Sequence, residues 1–294
     1  MIYIIHPDME LWDFMLDGVR NREDVKEFPL NRFCIFPQRV IRKLYPNRFF
    51  PASFVIGRKL RQELKKLKSG DQVIVSANYT PVLHHALRKV TNDNVILNLW
   101  MWNPVKTTSI LNKSIDLLRE IGVKLHTFDL DDATNYDMIY HNTFYNMNVK
   151  LQKTQPLYDF YFLGAPKNRG DQIQETVNLL KDYKCLYITP ASLSDFITYK
   201  ENLEHIKKSR CVIDIVQKNQ HDITLRPLEA LSFKKKLLTN NVNIKEYAFY
   251  NPNNIFIIGV DDKERLREFL STPFQDVESK ILKQYDINTW VDAF

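Results

Sequence analysis

Short β-rich runs alternate with amphipathic helical patterns along this chain, and that alternation limits the possible folds more than any other feature. IYIIH, QVIVSA, NVILNLWMW and KLHTFDL are typical of buried strands. Helical patterns such as FVIGRKLRQELKKLK and TTSILNKSIDLLREI lie between them. A chain that alternates in this way is expected to form a parallel sheet covered by helices, so we predict an α/β fold.

The alternation starts again after the polar stretch around NMNVKLQKTQP. The later strand-like runs are YDFYFLG, KCLYITP, CVIDIV, KKLLTN and NIFIIGV, and the helical patterns are GDQIQETVNLLKDY, ENLEHIKKS, LRPLEALSF and DDKERLREFLS. Because the pattern repeats, we predict two α/β domains, residues 1–152 and residues 153–294.

The composition is that of a folded globular protein with a modest positive charge. The chain has 294 residues, 44% of them hydrophobic, and a net charge of +6. That charge favours a polyanionic partner such as nucleic acid, a phosphorylated ligand or an anionic membrane, without choosing among them. The N-terminus resembles no signal peptide, and no run approaches the length of a membrane span. We expect a soluble, cytoplasmic protein.

Several familiar kinds of site are missing from the sequence. Cys34, Cys185 and Cys211 are far apart and form no CxxC motif, which argues against a disulfide framework and a zinc site. Neither GxGxxG nor GxxxxGK[ST] is present, so a Rossmann dehydrogenase or a P-loop NTPase is disfavoured.

The stretch DITLRPLEAL, residues 222–231, places charges at the start of a helix that follows the strand CVIDIV. With the helix beginning near Leu225, a rotation of about 100° per residue puts Arg226 and Glu229 on one face. We therefore expect this pair to face outward at the carboxyl end of the strand, where α/β sheets bind ligands. Glu229 would accept hydrogen bonds from ribose hydroxyls and Arg226 would reach phosphate or base. The alternative is an i,i+3 salt bridge on a solvated helix.

These residues belong to a longer pattern that resembles a known family. From YDFYFLGAPKNRGDQI through ITYKENLEHIKKSRCVIDIVQKNQHDITLRPLEALSFKKKLLTNN to FYNPNNIFII, the second half is similar to the donor-binding domain of GT-B glycosyltransferases. The similarity is greatest to bacterial enzymes of lipopolysaccharide and capsule biosynthesis. In the first half, NLWMWNPV and HTFDLDDATNYDMIYHNTFY resemble segments of the same group more weakly.

The resemblance implies two Rossmann-like domains facing a cleft, with a nucleotide-sugar donor bound by the second. Lys167 and Arg169 would neutralise the departing diphosphate, and Glu229 would hold the ribose. The loop before the helix would line the same phosphate and sugar with Gln220, His221, Asp222 and Thr224. Many relatives have a glycine near His221 or Asp222 that this sequence lacks. The last helix, about residues 276–294, is expected to cross back to the first domain.

The segment FDLDD supplies candidate catalytic carboxylates. Asp129 or Asp132 would orient or deprotonate the acceptor hydroxyl. Two alternatives are open: Asp129 and Asp131 form a metal-binding DxD of the GT-A type, or Asp131 or Asp132 caps the following helix. We expect no metal and no cofactor besides the nucleotide sugar.

Other acceptor-side candidates lie at the ends of two strands. His6, at the end of the first strand, and Asp8 are alternative bases, although a histidine there is often structural. Trp102 and Asn103, with Trp100 before them, would stack on and hydrogen-bond a sugar ring, unless aromatic packing accounts for the tryptophans.

Residues 32–50 interleave basic and aromatic side chains. This composition suits peripheral contact with an anionic membrane on the inner face of the inner membrane, where lipid-linked acceptors lie. It also suits single-stranded nucleic acid, or simple core packing with a solvated face.

We therefore predict a metal-independent glycosyltransferase that moves a sugar from a nucleotide-sugar donor to an oligosaccharide or lipid-linked glycan such as lipopolysaccharide or capsule. One alternative is a nucleotide-sugar epimerase or hydrolase of the same fold. The other is a non-catalytic basic protein that binds nucleic acid, a partner that the leading hypothesis does not require.

Overall fold

A computed structural model of the chain describes residues 1–30, 55–76, 81–107, 112–151, 154–192, 195–217 and 223–294. Two compact units share these residues. Unit 1 comprises Met1–Asn142 and Trp290–Phe294, and unit 2 comprises Thr143–Thr289. Strands and helices are numbered in chain order over the described residues.

Unit 1 contains a six-stranded parallel sheet in the order β2-β1-β3-β4-β5-β6. Its strands are β1 (Ile2–Pro7), β2 (Val25–Leu30), β3 (Gln72–Ser76), β4 (Ile96–Met101), β5 (Val123–Thr127) and β6 (Ile139–Tyr140). Its helices among the described residues are α1 (Glu10–Leu16), α2 (Arg58–Leu64), α3 (Pro81–Val90), α4 (Asn112–Glu120) and α5 (Leu130–Asn135).

Alternate residues of the unit 1 strands face opposite sides of the sheet. One side holds the main apolar core, in which Ile5, Val75 and Leu99 pack with Leu64 of α2 and Leu87 of α3. The other side carries polar and aromatic residues along one line across the strands. His6 lies opposite Pro29, Ser76 opposite Trp100, and Trp100 opposite His126.

Unit 2 contains a five-stranded parallel sheet in the order β11-β10-β9-β7-β8. Its strands are β7 (Tyr158–Leu163), β8 (Cys185–Ile188), β9 (Ser209–Asp214), β10 (Lys236–Thr239) and β11 (Ile255–Ile257). Its helices among the described residues are α6 (Gly170–Leu179), α7 (Tyr199–Lys207), α8 (Leu225–Ser232), α9 (Leu266–Ser271) and α10 (Ser279–Lys283). A final helix, α11 (Ile287–Asp292), begins in unit 2 and ends in unit 1.

The two parallel sheets confirm the α/β fold that the alternation predicted, and each strand-like run named in the sequence forms a strand. β2 and β6 were not predicted. β2 is VKEFPL, an edge strand whose residues are mostly half-exposed, and β6 has two exposed residues, so neither shows a buried-strand pattern.

The end of the chain differs from the single helix that the sequence predicted. α10 and α11 are separate because the Asp286 carboxylate lies between them and accepts hydrogen bonds from Met147 N at 3.2 Å and Asn288 N at 2.9 Å. Tyr145 N also donates to Tyr285 O at 2.8 Å. The segment after Asn142 therefore packs within unit 2, whereas the predicted division of the chain lay near residue 152. Within the described ranges, no helix has the length and apolarity needed to cross a bilayer.

Candidate functional site

The carboxyl ends of β7 and β9 mark the point in unit 2 where the strand order changes direction. From β7 the chain goes to β8 on one side and then to β9 on the other. Loops on the two sides of such a point separate, and ligands of open α/β sheets bind in the gap between them. Several of the predicted donor-site residues lie on the elements that follow these two strands.

Arg226 and Glu229 form an ion pair in the first turns of α8, between Arg226 Nη1 and Glu229 Oε2. The prediction that both face outward is wrong. The Glu229 side chain is 2% exposed, whereas the Arg226 side chain is 18% exposed. Leu228 and Leu231 on the opposite face of α8 are buried too, so α8 is enclosed on both of these sides. Burial alone would lower the pKa of Arg226, but Glu229, Tyr161 and Tyr199 raise it, which keeps the guanidinium charged.

A network of polar side chains surrounds this pair. Tyr199 OH donates to Glu229 Oε1 at 2.9 Å, and Asn202 Nδ2 donates to the same oxygen at 3.2 Å. The Tyr199 hydroxyl has one hydrogen, which it donates to the carboxylate. Tyr145 OH is therefore the donor in the 2.6 Å contact between the two phenols. Asn202 Oδ1 accepts from Arg226 Nη1 at 3.2 Å and from Tyr161 OH at 3.0 Å. The buried carboxylate therefore has several partners.

A second buried carboxylate, Asp214, lies at the end of β9. Its oxygens accept hydrogen bonds from Thr224 Oγ1 at 3.0 Å and Thr239 Oγ1 at 3.3 Å. Burial raises the pKa of Asp214, and these hydroxyls together with Arg226 and Arg169 oppose that rise. Thr224 is also the N-cap of α8, because its Oγ1 accepts from Arg226 N at 3.1 Å. The start of α8 is thus fixed to the end of β9.

Arg169 lies across the gap between the two loops. Its guanidinium donates to Ala165 O at 3.1 Å and to Ile215 O, so it connects the loop after β7 with the segment after β9. Gly164 permits this arrangement, because a Cβ atom there would collide with the Arg169 guanidinium. Lys167 is exposed and has a φ of +43°, a left-handed conformation that non-glycine residues rarely adopt.

Three predicted donor-site residues, Gln220, His221 and Asp222, lie outside the described residues, as does the basic and aromatic segment 32–50. In the ranges that are described, no group of three or more His, Cys, Asp or Glu side chains is placed to hold a metal ion.

In unit 1, the two candidate catalytic carboxylates have structural partners. Asp129 caps α5 by accepting from Asp132 N at 2.8 Å, so the capping residue is Asp129 and not Asp131 or Asp132. Asp132 accepts from Val105 N at 2.7 Å, which ties α5 to the segment after β4. Burial raises the pKa of Asp132 to about 6. Asp131 is exposed and lies 3.7 Å from Lys106 Nζ.

His6 is buried at the end of β1. Its Nδ1 lies 2.9 Å from Pro7 O, and since a carbonyl can only accept, Nδ1 carries the proton and Nε2 carries the lone pair. Burial lowers the pKa of His6, so the ring is neutral near pH 7. Nε2 is buried without a hydrogen-bond partner, and Glu27 Oε2 lies 3.9 Å away. This is the protonation state that a general base requires.

Aromatic and polar neighbours lie beside His6. Its ring stacks on Trp12 with centroids 5.6 Å apart, and Trp12 contacts the half-buried Trp102 at 5.1 Å. Asp8 and Asn103 are exposed. Ser76, at the end of the adjacent strand β3, is buried and its Oγ has no hydrogen-bond partner. The sheet order changes direction between β1 and β3, so His6 and Ser76 lie beside the switch point of unit 1.

Sequence reasoning missed part of this arrangement. Asp214 had a visible signal, since an aspartate within the apolar run CVIDIV needs a buried partner. Tyr199 and Asn202 had none, because a tyrosine and an asparagine on an amphipathic helix are equally compatible with solvent.

No protein-family model and no curated protein matches the sequence, whereas the fold is similar to that of several solved structures. An alpha-glucosyltransferase in complex with UDP and a 13-mer DNA containing a central A:G mismatch has a TM-score of 0.59 and 10% identity. The match covers 99% of this chain and 97% of that enzyme. This likeness shows the fold, and the chain has the predicted GT-B fold.

Two further structures have lower scores. HepE of Anabaena in complex with UDP has a TM-score of 0.49 and 9% identity, over 99% of this chain and 93% of HepE. TarM has a TM-score of 0.49 and 12% identity, over 80% of this chain and 54% of TarM. The chain therefore spans about half of the length of TarM.

Proposed function

We propose that this protein is a glycosyltransferase that takes a sugar from a nucleoside diphosphate donor. The observation that supports this function best is the meeting of cationic groups at the switch point of unit 2. Arg226, Arg169 and the N-terminus of α8 all lie at the carboxyl ends of β7 and β9. The same fold in an alpha-glucosyltransferase that binds UDP makes a uridine nucleotide the first donor to test.

The chemistry requires positive charge at this edge. As the bond between the sugar C1 and the donor oxygen breaks, the departing diphosphate gains negative charge. Fixed guanidinium groups, helix N–H groups and the exposed Lys167 would stabilise that charge without a metal. Arg169 would act mainly by holding the two loops in place, because its guanidinium already donates to two backbone carbonyls.

On unit 1, we assign the general base to His6. The acceptor hydroxyl would form the new bond to C1 while its proton passes to His6 Nε2, the ring atom that has no partner. Trp102 and Asn103 would bind the acceptor sugar, and a glycan acceptor suits an aromatic surface of this kind. We propose that the acceptor is a surface glycan such as lipopolysaccharide or capsule. Contact of residues 32–50 with an anionic membrane stays a prediction.

The test has two stages. Thermal unfolding is first measured with UDP, GDP, CDP, CMP and ADP, and at 100 times its Kd one of them should stabilise the protein by about 2.7 kcal/mol. The matching sugar nucleotide is then incubated with and without a carbohydrate acceptor, in buffer with and without EDTA. Donor consumption that depends on the acceptor and resists EDTA is expected. Acceptor-independent consumption would indicate a hydrolase or epimerase.

A further inference from the structure

Two histidine rings are in contact on the polar side of the unit 1 sheet. His126 Nδ1 lies 2.7 Å from His141 Nε2. The sheet fixes both residues, because His126 lies opposite Ile139 of β6 and the His141 amide donates to Thr127 O at 2.9 Å. The backbone therefore holds the two rings side by side.

The hydrogen bonds around the rings assign their protons. Asn98 Nδ2 donates to Gln72 Oε1 at 3.0 Å, so Asn98 presents its oxygen to His126 Nε2, also at 3.0 Å. Since an amide oxygen can only accept, the neutral His126 ring carries its proton on Nε2 and its lone pair on Nδ1. His141 Nε2 is then the donor in the contact between the rings. A second proton on His126 would point two N–H groups at each other and break this contact.

Residues 290–294, which we call the docking segment, cover the histidine pair. The ring of Phe294 lies against both histidines, with its centroid 4.5 Å from that of His126 and 5.1 Å from that of His141. The carbonyl oxygen of Phe294 accepts a hydrogen bond from Gln72 Nε2. Under this cover, only 3% of His126 is exposed.

Burial and nearby charges oppose protonation of the pair. Burial lowers the pKa of His126 to about 3, and it also lowers the pKa of His141. The charges of His141 and of Lys124, which lies on the same side of β5, act on His126 in the same direction. On the docking segment, Asp292 pairs with Arg22 at 2.7 Å. This pair is partly exposed, so it adds little to docking.

Docking and protonation are therefore linked. A histidine that leaves the cover regains an ordinary pKa near 6.5, so acid favours the state in which the docking segment is released. Above pH 6.5 the contribution of the pair to docking is fully present. Below pH 6.5 the equilibrium constant for docking falls by up to about tenfold per pH unit for each ring that binds a proton. The contact of Trp290 with Trp100, at 5.6 Å between centroids, does not titrate.

We infer that the docking segment is bound to the unit 1 sheet while His126 and His141 are neutral, and that it is released when the pair binds protons. The segment contains the end of α11, which begins in unit 2 and ends in unit 1. Release therefore removes the attachment of α11 to the unit 1 sheet in mild acid and restores it at neutral pH. The inference does not depend on the proposed sugar transfer, because neither histidine belongs to the proposed donor or acceptor groups.

Hydrogen exchange measured by mass spectrometry tests this release at pH 7.5, 6.0 and 5.0. The exchange rate of peptides that cover residues 285–294 is compared with the rate of the same peptides in the urea-unfolded chain at each pH. Their ratio gives the protection of the docking segment. Peptides from β9, together with far-UV circular dichroism, report whether the rest of the fold is intact.

Two variants and one control separate the pair from other titrating groups. His126→Gln keeps an amide donor for Asn98 but binds no proton in this range, and Phe294→Ala removes the cover. The matched control is His205→Gln, because His205 is half-buried on α7 and contacts Tyr161 at 5.3 Å in unit 2.

We expect protection of the docking segment in the wild type to fall by about 10- to 100-fold from pH 7.5 to pH 5.0, while β9 stays protected. His126→Gln should retain more of this protection at pH 5.0 than the wild type does. Phe294→Ala should have low protection at every pH. In that variant the pKa of His126, measured by NMR titration, should rise from about 3 towards 6.5. His205→Gln should match the wild type.

Three results would overturn the inference. The first is constant protection of the docking segment from pH 7.5 to pH 5.0 in the wild type. The second is a loss of protection in His126→Gln at the same pH as in the wild type, since the pair would then not control release. The third is a simultaneous loss in the docking segment and in β9, which would mean that the whole chain unfolds. If His126→Gln does not fold, His141→Gln removes the other ring and is expected to give the same result.

Discussion

Thr224 Oγ1 donates a hydrogen bond to Asp214 Oδ1 at 3.0 Å, and the same oxygen accepts one from Arg226 N at 3.1 Å. One hydroxyl thus serves a buried carboxylate and caps α8. Thr224→Ala should lower the free energy of unfolding by about 2 to 4 kcal/mol, because the helix loses its cap and Asp214 loses a partner.

Urea unfolding measures this loss, and Thr198→Ala is the matched control. Thr198 also caps a helix, α7, in a capping box with Glu201, but it is exposed and contacts no buried carboxylate. We expect Thr198→Ala to cost about 1 kcal/mol. Equal losses for the two variants would show that the bond to Asp214 contributes nothing.

Glu229→Ala should destabilise the fold as well as weaken ligand binding. Removing this carboxylate leaves Arg226 charged and half-buried without its partner, which should cost about 3 to 5 kcal/mol. The control is Glu204→Ala, in the half-exposed i,i+3 pair with Lys207 at 2.7 Å, and its cost should be below about 1 kcal/mol. Chemical unfolding of both variants gives the comparison, and a loss at Glu229 no larger than that at Glu204 contradicts the expectation.

These two pairs show where prediction from sequence succeeds and fails. Glu204 and Lys207, like Arg226 and Glu229, are opposite charges three residues apart on an amphipathic helix, and the sequence pattern is similar. Only the environment of α8 separates them, and that environment depends on Tyr199 and Asn202, which are distant in sequence. Strand and helix order follows from local hydrophobic periodicity and was predicted well. The partners of a buried charge follow from tertiary packing and were not.

The edge strand β2 and the C-terminal segment also depend on tertiary contacts. VKEFPL lacks a buried alternation because a strand at the edge of a sheet is half-covered. The break between α10 and α11 comes from hydrogen bonds between Asp286 and the remote segment at Met147 and Asn148. Helical periodicity contains no information on such a contact, so one continuous helix was expected.

The buried His126, which lies beside His141, should make the protein less stable in mild acid. Burial, with His141 and Lys124 nearby, lowers the pKa of His126 to about 3, against an ordinary value of 6.5. Between pH 6.5 and pH 3 the unfolded chain binds more protons than the folded one. The free energy of unfolding therefore falls as the pH drops below 6.5, and above pH 6.5 this contribution to stability is fully present. One such group contributes a slope of up to about 1.4 kcal/mol per pH unit.

His126→Gln isolates this contribution, because the amide can still donate to Asn98 Oδ1, which lies 3.0 Å from His126 Nε2. Unfolding free energies measured from pH 7.5 to pH 4.5 should fall less steeply in the variant than in the wild type. Asp132, whose pKa is raised to about 6, acts in the opposite direction in both proteins and cancels in the difference. Identical slopes would exclude His126 as the titrating group.

A side chain at residue 164 should be tolerated only if Arg169 moves. A Cβ atom at residue 164 would collide with the Arg169 guanidinium and lie 3.1 Å from the Phe162 ring. Gly164→Ala should therefore cost about 1 to 3 kcal/mol. Gly170→Ala is the control, since a Cβ there meets nothing within 4 Å, and it should be neutral or stabilise the protein by up to about 1 kcal/mol. Adding Arg169→Gln to Gly164→Ala should recover part of the loss, and a fully additive double variant would contradict the contact.

His6→Asn tests the assignment of the general base. The asparagine amide can still donate to Pro7 O, which lies 2.9 Å from His6 Nδ1, but no group replaces the Nε2 lone pair. The rate of sugar transfer should fall by about 10²- to 10⁴-fold, while the Kd for the donor nucleotide stays at the wild-type value. The pH profile supplies a second reading. Because burial lowers the pKa of His6, the wild-type transfer rate should fall only at a pH below 6.5. The residual transfer rate of the variant should not show this fall at acid pH.

Asp8→Asn and Asp132→Asn are measured in parallel, since both carboxylates were alternative candidates for the base. Asp132 accepts from Val105 N at 2.7 Å, so its loss should first appear as lower stability. Asp8 is exposed and adjoins β1. If the transfer rate falls greatly in Asp8→Asn and stays near the wild-type rate in His6→Asn, the proton acceptor is the Asp8 carboxylate and not the His6 ring. A fall confined to His6→Asn, with its acid limb gone, would place the proton on Nε2, the buried ring atom beside Trp12 and Ser76.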